Sequence, residues 1–505
     1  MAVDANETEA KYEAPAGRAL PDLDDLPQVE GTSGPDEEQL EAEYYDTEDL
    51  RLIRAGITLR RRRGGHDAGW HLKLPVGPDT RREIRLPLGR AGGRVPAELG
   101  RLVRAYTRGE PLRAVARVTT RRQRLILLDQ SGESLAEVAD DDVSAQTVGD
   151  STVSRWHEVE VELTGGDRRL LKAADELLRR DGLRPAAESA KLERALGDQL
   201  PGPPSRPPLT PSSPAGQVVL AYLQAQTERL TSLDPMVRKD EPDSVHQMRV
   251  ATRRLRSTLR SFRKIIPRSS TDRLAGELKW LGDVLGEARD AEVLAGRLEA
   301  HLQAMPAELV VGPVQARVQR HFAPLRAAAR DAVSAALGSE RYFSLLDELD
   351  RLIAEPPLTR RAARPAADVL PSAVRRCYRQ TSRRMRRAQR APAGPPRDAA
   401  LHQARKAAKR TRYAGEAVTP ALGAKARRFT KRVKEVQSVL GDYQDTVIAR
   451  PVERELGMSA HLAGENAFSY GALYERDACD AGRLQARARR AWKQARRSRY
   501  RRWMG

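Results

Sequence analysis

The sequence predicts two unlike units in one chain: an N-terminal antiparallel β-barrel with a charged interior, and a C-terminal all-α pair of four-helix bundles. Three observations predict this. Strand-length segments before residue 200 alternate apolar residues with ionisable residues of both signs. Seven prolines then fall within residues 197–214, and such a stretch is an extended, semi-rigid spacer. From residue 215 onward the pattern is helical and carries two motifs twice, in the same order. The expected domains are 1–197, a linker over 198–214, and 215–505.

Charge separates the units as clearly as periodicity does. Lys and Arg total 89 of 505 residues against 69 Asp and Glu, a formal charge of +20. Residues 1–200 hold 31 basic and 38 acidic residues, leaving 58 and 31 for the remainder. The cationic second half calls for a polyanionic partner, and nucleic acid, inorganic polyphosphate and an anionic membrane surface all qualify on charge. Aromatic residues are only 4%. Single-strand nucleic-acid binders interleave stacking aromatics with their cations, so the scarcity favours an anion without bases. Two cysteines, Cys377 and Cys479, make neither a disulfide framework nor a metal-site spacing, which predicts a reducing cytoplasm. The acidic N-terminus lacks the apolar segment of a signal peptide, and no run is long enough for a membrane span.

In chain order, E-T-E-A-K starts a first strand with Glu7, Glu9 and Lys11 on one face, because alternate strand residues share a side. A loop rich in Asp, Pro and Gly is expected up to about residue 40. A short helix follows near 48–55, then a hairpin of 57–63 and 70–75. Arg60 and Arg62 share a face of its first strand, and His71 and Lys73 share one of its second. T-R-R-E-I-R-L places Arg81, Glu83 and Arg85 together. A helix is expected over 95–108, then a long hairpin containing Arg121 and Arg122 in one arm and Asp141 in the other. The last strand, R-W-H-E-V-E-V-E-L, carries Glu158, Glu160 and Glu162 on one side and Val159, Val161 and Leu163 on the other. Helices over 167–181 and the short K-L-E-R-A-L complete the unit. At least five strands thus carry charge on one face, and a closed barrel with that face inward explains them together. Paired carboxylates at i, i+2 suit a hard cation, and surrounding Lys and Arg suit a phosphate chain.

In the second half, V-H-Q-M-R-V-A-T-R-R-L-R-S-T-L-R (245–260) and L-H-Q-A-R-K-A-A-K-R-T-R-Y (401–413) each open apolar-His-Gln. Steps of three and four then keep Arg249, Arg253, Arg256 and Arg260 in line with His246 on one helix face. Arg405, Lys409 and Arg412 follow His402 likewise, with Lys406 beside them. An apolar column (Val245, Met248, Thr252, Leu255, Leu259, Phe262) runs one residue ahead of the first set. The cation columns are expected to lack Glu at i−4 or i+4, leaving like charge unrelieved. The block L-G-D-V-L-G-E-A-R-D-A-E-V (281–293) repeats as V-Q-S-V-L-G-D-Y-Q-D-T-V-I (436–448), expected to serve packing and capping, with Asp290 and Asp445 as alternative partners of the Arg residues. A duplication with a pseudo-twofold follows.

Taken with Y-Y-D-T-E-D-L-R-L, G-I-T-L-R-R-R, W-H-L-K-L-P and H-E-V-E-V-E-L in this order, the first half resembles the CYTH family, the triphosphate tunnel metalloenzymes. The resemblance implies an eight-stranded tunnel that binds a triphosphate and one or two divalent metals, Mg2+ or Mn2+. It implies Glu7, Glu9, Glu158 and Glu160 as metal ligands. Lys11, Arg60, Arg62 and Lys73 would grip phosphate, joined by Arg81, Arg85, Arg121 or Arg122, and Lys191. Catalytic roles would fall to Glu7, Glu9, Lys11, Lys73, Glu158 and Glu160. The two His-led helices resemble the CHAD domain, a helical module with conserved histidines, which implies inorganic polyphosphate binding along the two columns and residence on polyphosphate granules. The expected activity is metal-dependent hydrolysis of tripolyphosphate. A non-catalytic polyphosphate scaffold, a nucleotide-cyclising enzyme and a nucleic-acid binder stand as alternatives. No membrane partner and no specific nucleic acid are expected.

Overall fold

The computed structural model describes residues 3–15, 17–77, 80–89, 93–149, 152–187, 190–200 and 207–505. The chain divides into two compact units, 1–205 and 206–505. Part of the expected linker, 201–206, lies outside the described residues.

The first unit is a closed antiparallel barrel. Its elements are β1 (Val3–Ala14), β2 (Gly31–Asp46), α1 (Arg51–Arg54), β3 (Thr58–Arg63), β4 (Gly69–Pro75), β5 (Thr80–Leu86), α2 (Ala97–Thr107), β6 (Arg113–Leu128), β7 (Ser134–Thr147), β8 (Val153–Leu163), α3 (Arg168–Arg180), β9 (Arg184–Pro185) and α4 (Lys191–Leu196). Strand order is β5-β4-β3-β2-β6-β7-β8-β1, and β1 closes the cylinder by also pairing with β5. Residues 3–8 of β1 pair with β5, whereas residues 9–14 pair with β8. The switch falls between Thr8 and Glu9, inside E-T-E-A-K. The two-residue β9 adds only a short edge to β1.

The expected loop to residue 40 is corrected: residues 31–46 form one of the longest strands. Gly34 and Pro35 lie where the β2–β6 register slips, between Ser33 and Asp36, so the proline's missing N–H is absorbed by an irregularity. Beyond it, acidic β2 runs against basic β6, with Arg124 3.6 Å from Asp36 and Arg117 3.3 Å from Glu43. A polar composition read as loop is here a strand stabilised by its cross-strand neighbour. Buried Asp46 then accepts from Leu52 N and Ile53 N, both at 2.9 Å, and sets the start of α1.

The barrel is inverted relative to a ligand-free core. Its apolar face points outward and is covered by helices. Leu170, Ala174 and Leu178 of α3 cover Tyr12, Val138, Val159 and Val161. Leu99, Leu102 and Val103 of α2 cover Leu59, Trp70, Leu72 and Ile84. Leu192 and Leu196 of α4 pack instead against Val118, Val143 and Trp156, which share the inward face of their strands with Arg122, Asp141 and Glu160. Most apolar surface is thereby buried outside the sheet, which leaves the middle of the interior for charge.

The second unit is all helical: α5 (Ala215–Ser232), α6 (Asp234–Arg238), α7 (Ser244–Ser261), α8 (Asp272–Gln303), α9 (Val314–Leu337), α10 (Glu340–Ala354), α11 (Ala366–Arg390), α12 (Pro395–Leu462) and α13 (Phe468–Ala495), with short 3-10 turns between some of them. The expected apolar column of α7 is buried from Val245 to Phe262, with Met248, Thr252 and Leu255 fully so. α12 breaks at Gly423, whose φ of 64° and ψ of −144° lie outside the helical region. Its two arms therefore match α7 and α8. A reciprocal pair marks the pseudo-twofold: Ala215 N donates to Arg364 O and Ala366 N to Ser213 O, each at 2.9 Å. Among the described residues no helix is long and apolar enough to cross a membrane.

Candidate functional site

Because the charged faces of the strands converge, the barrel encloses a polar cavity of about 310 Å³. Glu7, Glu9 and Lys11 of β1 line it, with Arg60 and Arg62 of β3, Lys73 of β4, Arg81, Glu83 and Arg85 of β5, Arg122 of β6, Glu160 and Glu162 of β8, and Lys191.

Glu160 is the hub of one wall. It accepts from Lys11 Nζ at 2.5 Å, Lys191 Nζ at 2.8 Å and Arg122 Nη2 at 3.1 Å. Burial opposes its ionisation, but Lys11, Lys191 and Arg122 outweigh it and hold the carboxyl well below the usual range. Arg122 also grips fully buried Asp141 with two bonds of 2.8 Å. Lys191 reaches in from α4 to Asp141 at 2.9 Å and Glu158 at 2.6 Å, and despite its burial these anions push its pKa well above the ordinary value. Glu7 anchors the other wall. Lys73 Nζ lies 2.5 Å from it and Arg85 Nη2 3.0 Å. Burial pushes Glu7 up to about 7, against the pull of Lys73.

Cations also crowd one another. Burial, then Arg60 and Arg122, push Arg62 down to about 9. Arg62 is paired with Asp67. The interior thus holds many like charges whose repulsion a bound polyanion would relieve.

The expected site residues are not all gathered. Arg122 points in, while Arg121 points out and pairs with Asp142 at 2.8 Å. Glu158 stands behind Lys191, accepting from Trp156 Nε1 at 2.5 Å, and does not line the cavity. Glu162 lines it instead, directly opposite Glu9 in the β1–β8 register. Burial, and then the like charges of Glu9 and Glu160 against the pull of Lys73, leave Glu162 raised. Two carboxylates facing across adjacent strands are destabilising unless a cation joins them. Oxygen donors of Glu7, Glu9, Glu160 and Glu162 in one polar cavity fit a hard divalent ion. Asp141, Glu158 and Glu160 also bring three carboxylate oxygens within 4.8 Å, with Lys191 now at their centre. The E-V-E-V-E alternation contained Glu162, but only strand pairing selects which two of the three face Glu9 and Lys11.

In the helical unit both columns meet in a groove of about 330 Å³ lined by His246, Arg249, Arg253, Arg405, Lys409 and Arg412, among others. Arg256 and Arg260 line a neighbouring basin with Arg263, Arg268, Lys279 and Arg410. His402 lines neither; its Nδ1 lies 2.8 Å from Gln444 Oε1, and Lys406 is exposed. The repeated L-G-x-x-x-D block explains itself here. Arg249 lies across Gly286, where a Cβ would sit 3.2 Å from Nη2, and Arg405 across Gly441 at 3.6 Å. Arg249 Nη1 also donates to Asp290 at 3.1 Å. So the glycine is a seat for the column's first arginine, a role beyond capping. The expected absence of a neutralising Glu is corrected at one end: Arg412 Nε donates to Glu416, one turn on, at 2.7 Å. Deeper in the groove, burial and then Arg253, Arg405 and Arg249 push Lys409 down to about 6.

Comparison with known proteins follows these halves. A CYTH domain model matches residues 5–192 and a CHAD domain model residues 221–452. Uncharacterized protein Rv2226 of Mycobacterium tuberculosis is 38% identical over 519 residues, covering 98% of each chain. The CHAD domain from the plant Ricinus communis is 26% identical and covers 57% of this chain and 97% of its own, with a TM-score of 0.45. HpAC1 from Hippeastrum, described as having a dominant triphosphatase activity, is 18% identical and covers 39% of this chain and 98% of its own, with a TM-score of 0.24. With both models matched in order and a relative aligned over nearly its whole length, the chain belongs to the family that joins an N-terminal CYTH domain to a C-terminal CHAD domain.

Proposed function

We propose that the barrel is a divalent-metal-dependent triphosphatase acting on inorganic tripolyphosphate, and that the helical unit binds long inorganic polyphosphate. The observation that carries the reading is the cavity itself: carboxylates and cations share one enclosed interior in a barrel whose apolar face is turned outward. CYTH domains typically act on triphosphates with a metal, and the acidic residues here suit that chemistry.

Glu7, Glu9, Glu160 and Glu162 would hold the ion. When bound, it would neutralise developing charge on phosphoryl oxygens. Lys11, Arg60, Lys73 and Arg122 grip the non-bridging oxygens and align the chain for in-line attack by water. Lys191 and Asp141 keep Glu160 and Arg122 in place. The test is phosphate release from tripolyphosphate by the full chain. It is expected to stop on chelation and return with Mg2+ or Mn2+; release unchanged by chelation would overturn the metal-dependent reading.

Lys409 gives the helical unit its own signature. Its amine is held near 6 in the free groove and would return toward an ordinary lysine value beside phosphate. A group whose pKa rises on binding takes up a proton between the two values. Polyphosphate binding at pH 8 is therefore expected to take up close to one proton, and affinity should fall as pH rises from 6 towards 10. Calorimetric titration in buffers of different ionisation enthalpy measures that uptake directly; none would contradict the buried-lysine account.

A further inference from the structure

Next to the groove, whose lining includes Arg297, α8, α12 and α13 bring together a second set of ligand-type side chains that neither proposed activity uses. Glu453 of α12 is fully buried, as is Asp477 of α13. His301 of α8 stands beside them, its side chain 14% exposed. One ligand atom from each of the three lies within 4.8 Å of the others. Among the described residues both oxygens of Glu453 and the Nδ1 of His301 are buried with no hydrogen-bond partner, His301 Nδ1 lying 3.7 Å from Asp477 Oδ1. A buried carboxylate with two unpartnered oxygens is costly unless something is bound there or it is neutralised.

We propose that His301, Glu453 and Asp477 form a divalent metal site that pins three helices of the helical unit. One imidazole nitrogen and two carboxylates suit a borderline ion such as Zn2+ better than Mg2+, which prefers oxygen donors alone. Arg297, one turn before His301, donates to both oxygens of Asp477, at 2.5 and 3.2 Å. That is the outer contact expected to orient a ligating carboxylate while leaving it a free lone pair. Close packing supplies the proximity: Gly457, one turn beyond Glu453, sits where a Cβ would lie 3.1 Å from Tyr470 Cβ of α13. The alternative occupant is a proton. Burial, then the neighbouring Asp477, push the Glu453 carboxyl up to about 8, so without metal it would be neutral near pH 7.

Glu453→Gln separates the two, because glutamine mimics the neutral carboxyl and cannot replace the ligand charge. Equilibrium dialysis of the full chain against Zn2+ should give one equivalent fewer for Glu453→Gln than for the wild type. Co2+ should give visible bands of a low-symmetry site in the wild type only. His301→Ala should lose both as well, with the far-ultraviolet circular dichroism of the full chain retained as a marker that the helical unit is folded. Equal zinc stoichiometry in wild type and Glu453→Gln, or identical Co2+ spectra, would overturn the site and leave a protonated carboxyl pair.

Discussion

Glu160→Gln is expected to lower the turnover of tripolyphosphate by at least about a hundredfold, while Glu158→Gln lowers it by about tenfold or less. The two residues are neighbours in an alternating strand and look equivalent in sequence. They are not equivalent in the barrel. Glu160 holds Lys11, Lys191 and Arg122 at once and faces the cavity. Its loss removes a ligand-type oxygen and unbalances three buried cations. Those cations remain able to grip phosphate, so the fall should appear in kcat with KM unchanged or lower. Glu158 shares that inward face but is screened from the cavity by Lys191, and acts through Lys191 and Trp156. Steady-state phosphate release from both variants checks the contrast. Equal losses would mean that the β8 register inside the cavity differs from the one described.

Arg253→Glu combined with Lys409→Glu is expected to weaken polyphosphate binding by about a thousandfold or more, whereas His246→Ala should cost about tenfold or less. The two cations come from facing columns and line one groove, so reversing both places anions where a phosphate chain would cross. Binding of a polyanion by several cations falls steeply with salt, and fewer contacts mean a shallower slope; the same holds for any dense phosphate chain. The double variant should therefore lose salt dependence along with affinity. His246 lines the groove, but its repeat-mate His402 turns to Gln444, so the signature histidine is not used alike in both halves. Binding isotherms at two ionic strengths measure all of this. If the histidine change abolished binding and the charge reversals did not, the cation columns would not be the binding surface.

Much of this was legible before any fold was known, because periodicity reports faces. Alternation placed Glu7, Glu9, Lys11, Arg60, Arg62 and Lys73 on one side of their strands, and all six line the cavity. Steps of three and four placed Val245, Met248 and Leu255 in a core. Periodicity does not report register or pairing. It could not separate Glu158 from Glu162, or Arg121 from Arg122 without knowing which face of β6 turns inward. Nor could it see β2, whose Gly-Pro and acidic residues read as loop until basic β6 is set beside them. Contacts between distant segments were equally hidden, as with Gly286 beneath Arg249 and Glu416 beside Arg254.

The central claim is that the charged barrel interior breaks a phosphoanhydride. Its most direct test is a 31P spectrum of tripolyphosphate incubated with the full chain and Mg2+ or Mn2+. The expected result is equal amounts of phosphate and pyrophosphate, accumulating to completion, with no cyclic nucleotide formed when ATP is supplied instead. Intact tripolyphosphate that merely broadens as it binds, or cyclic AMP from ATP, would contradict it.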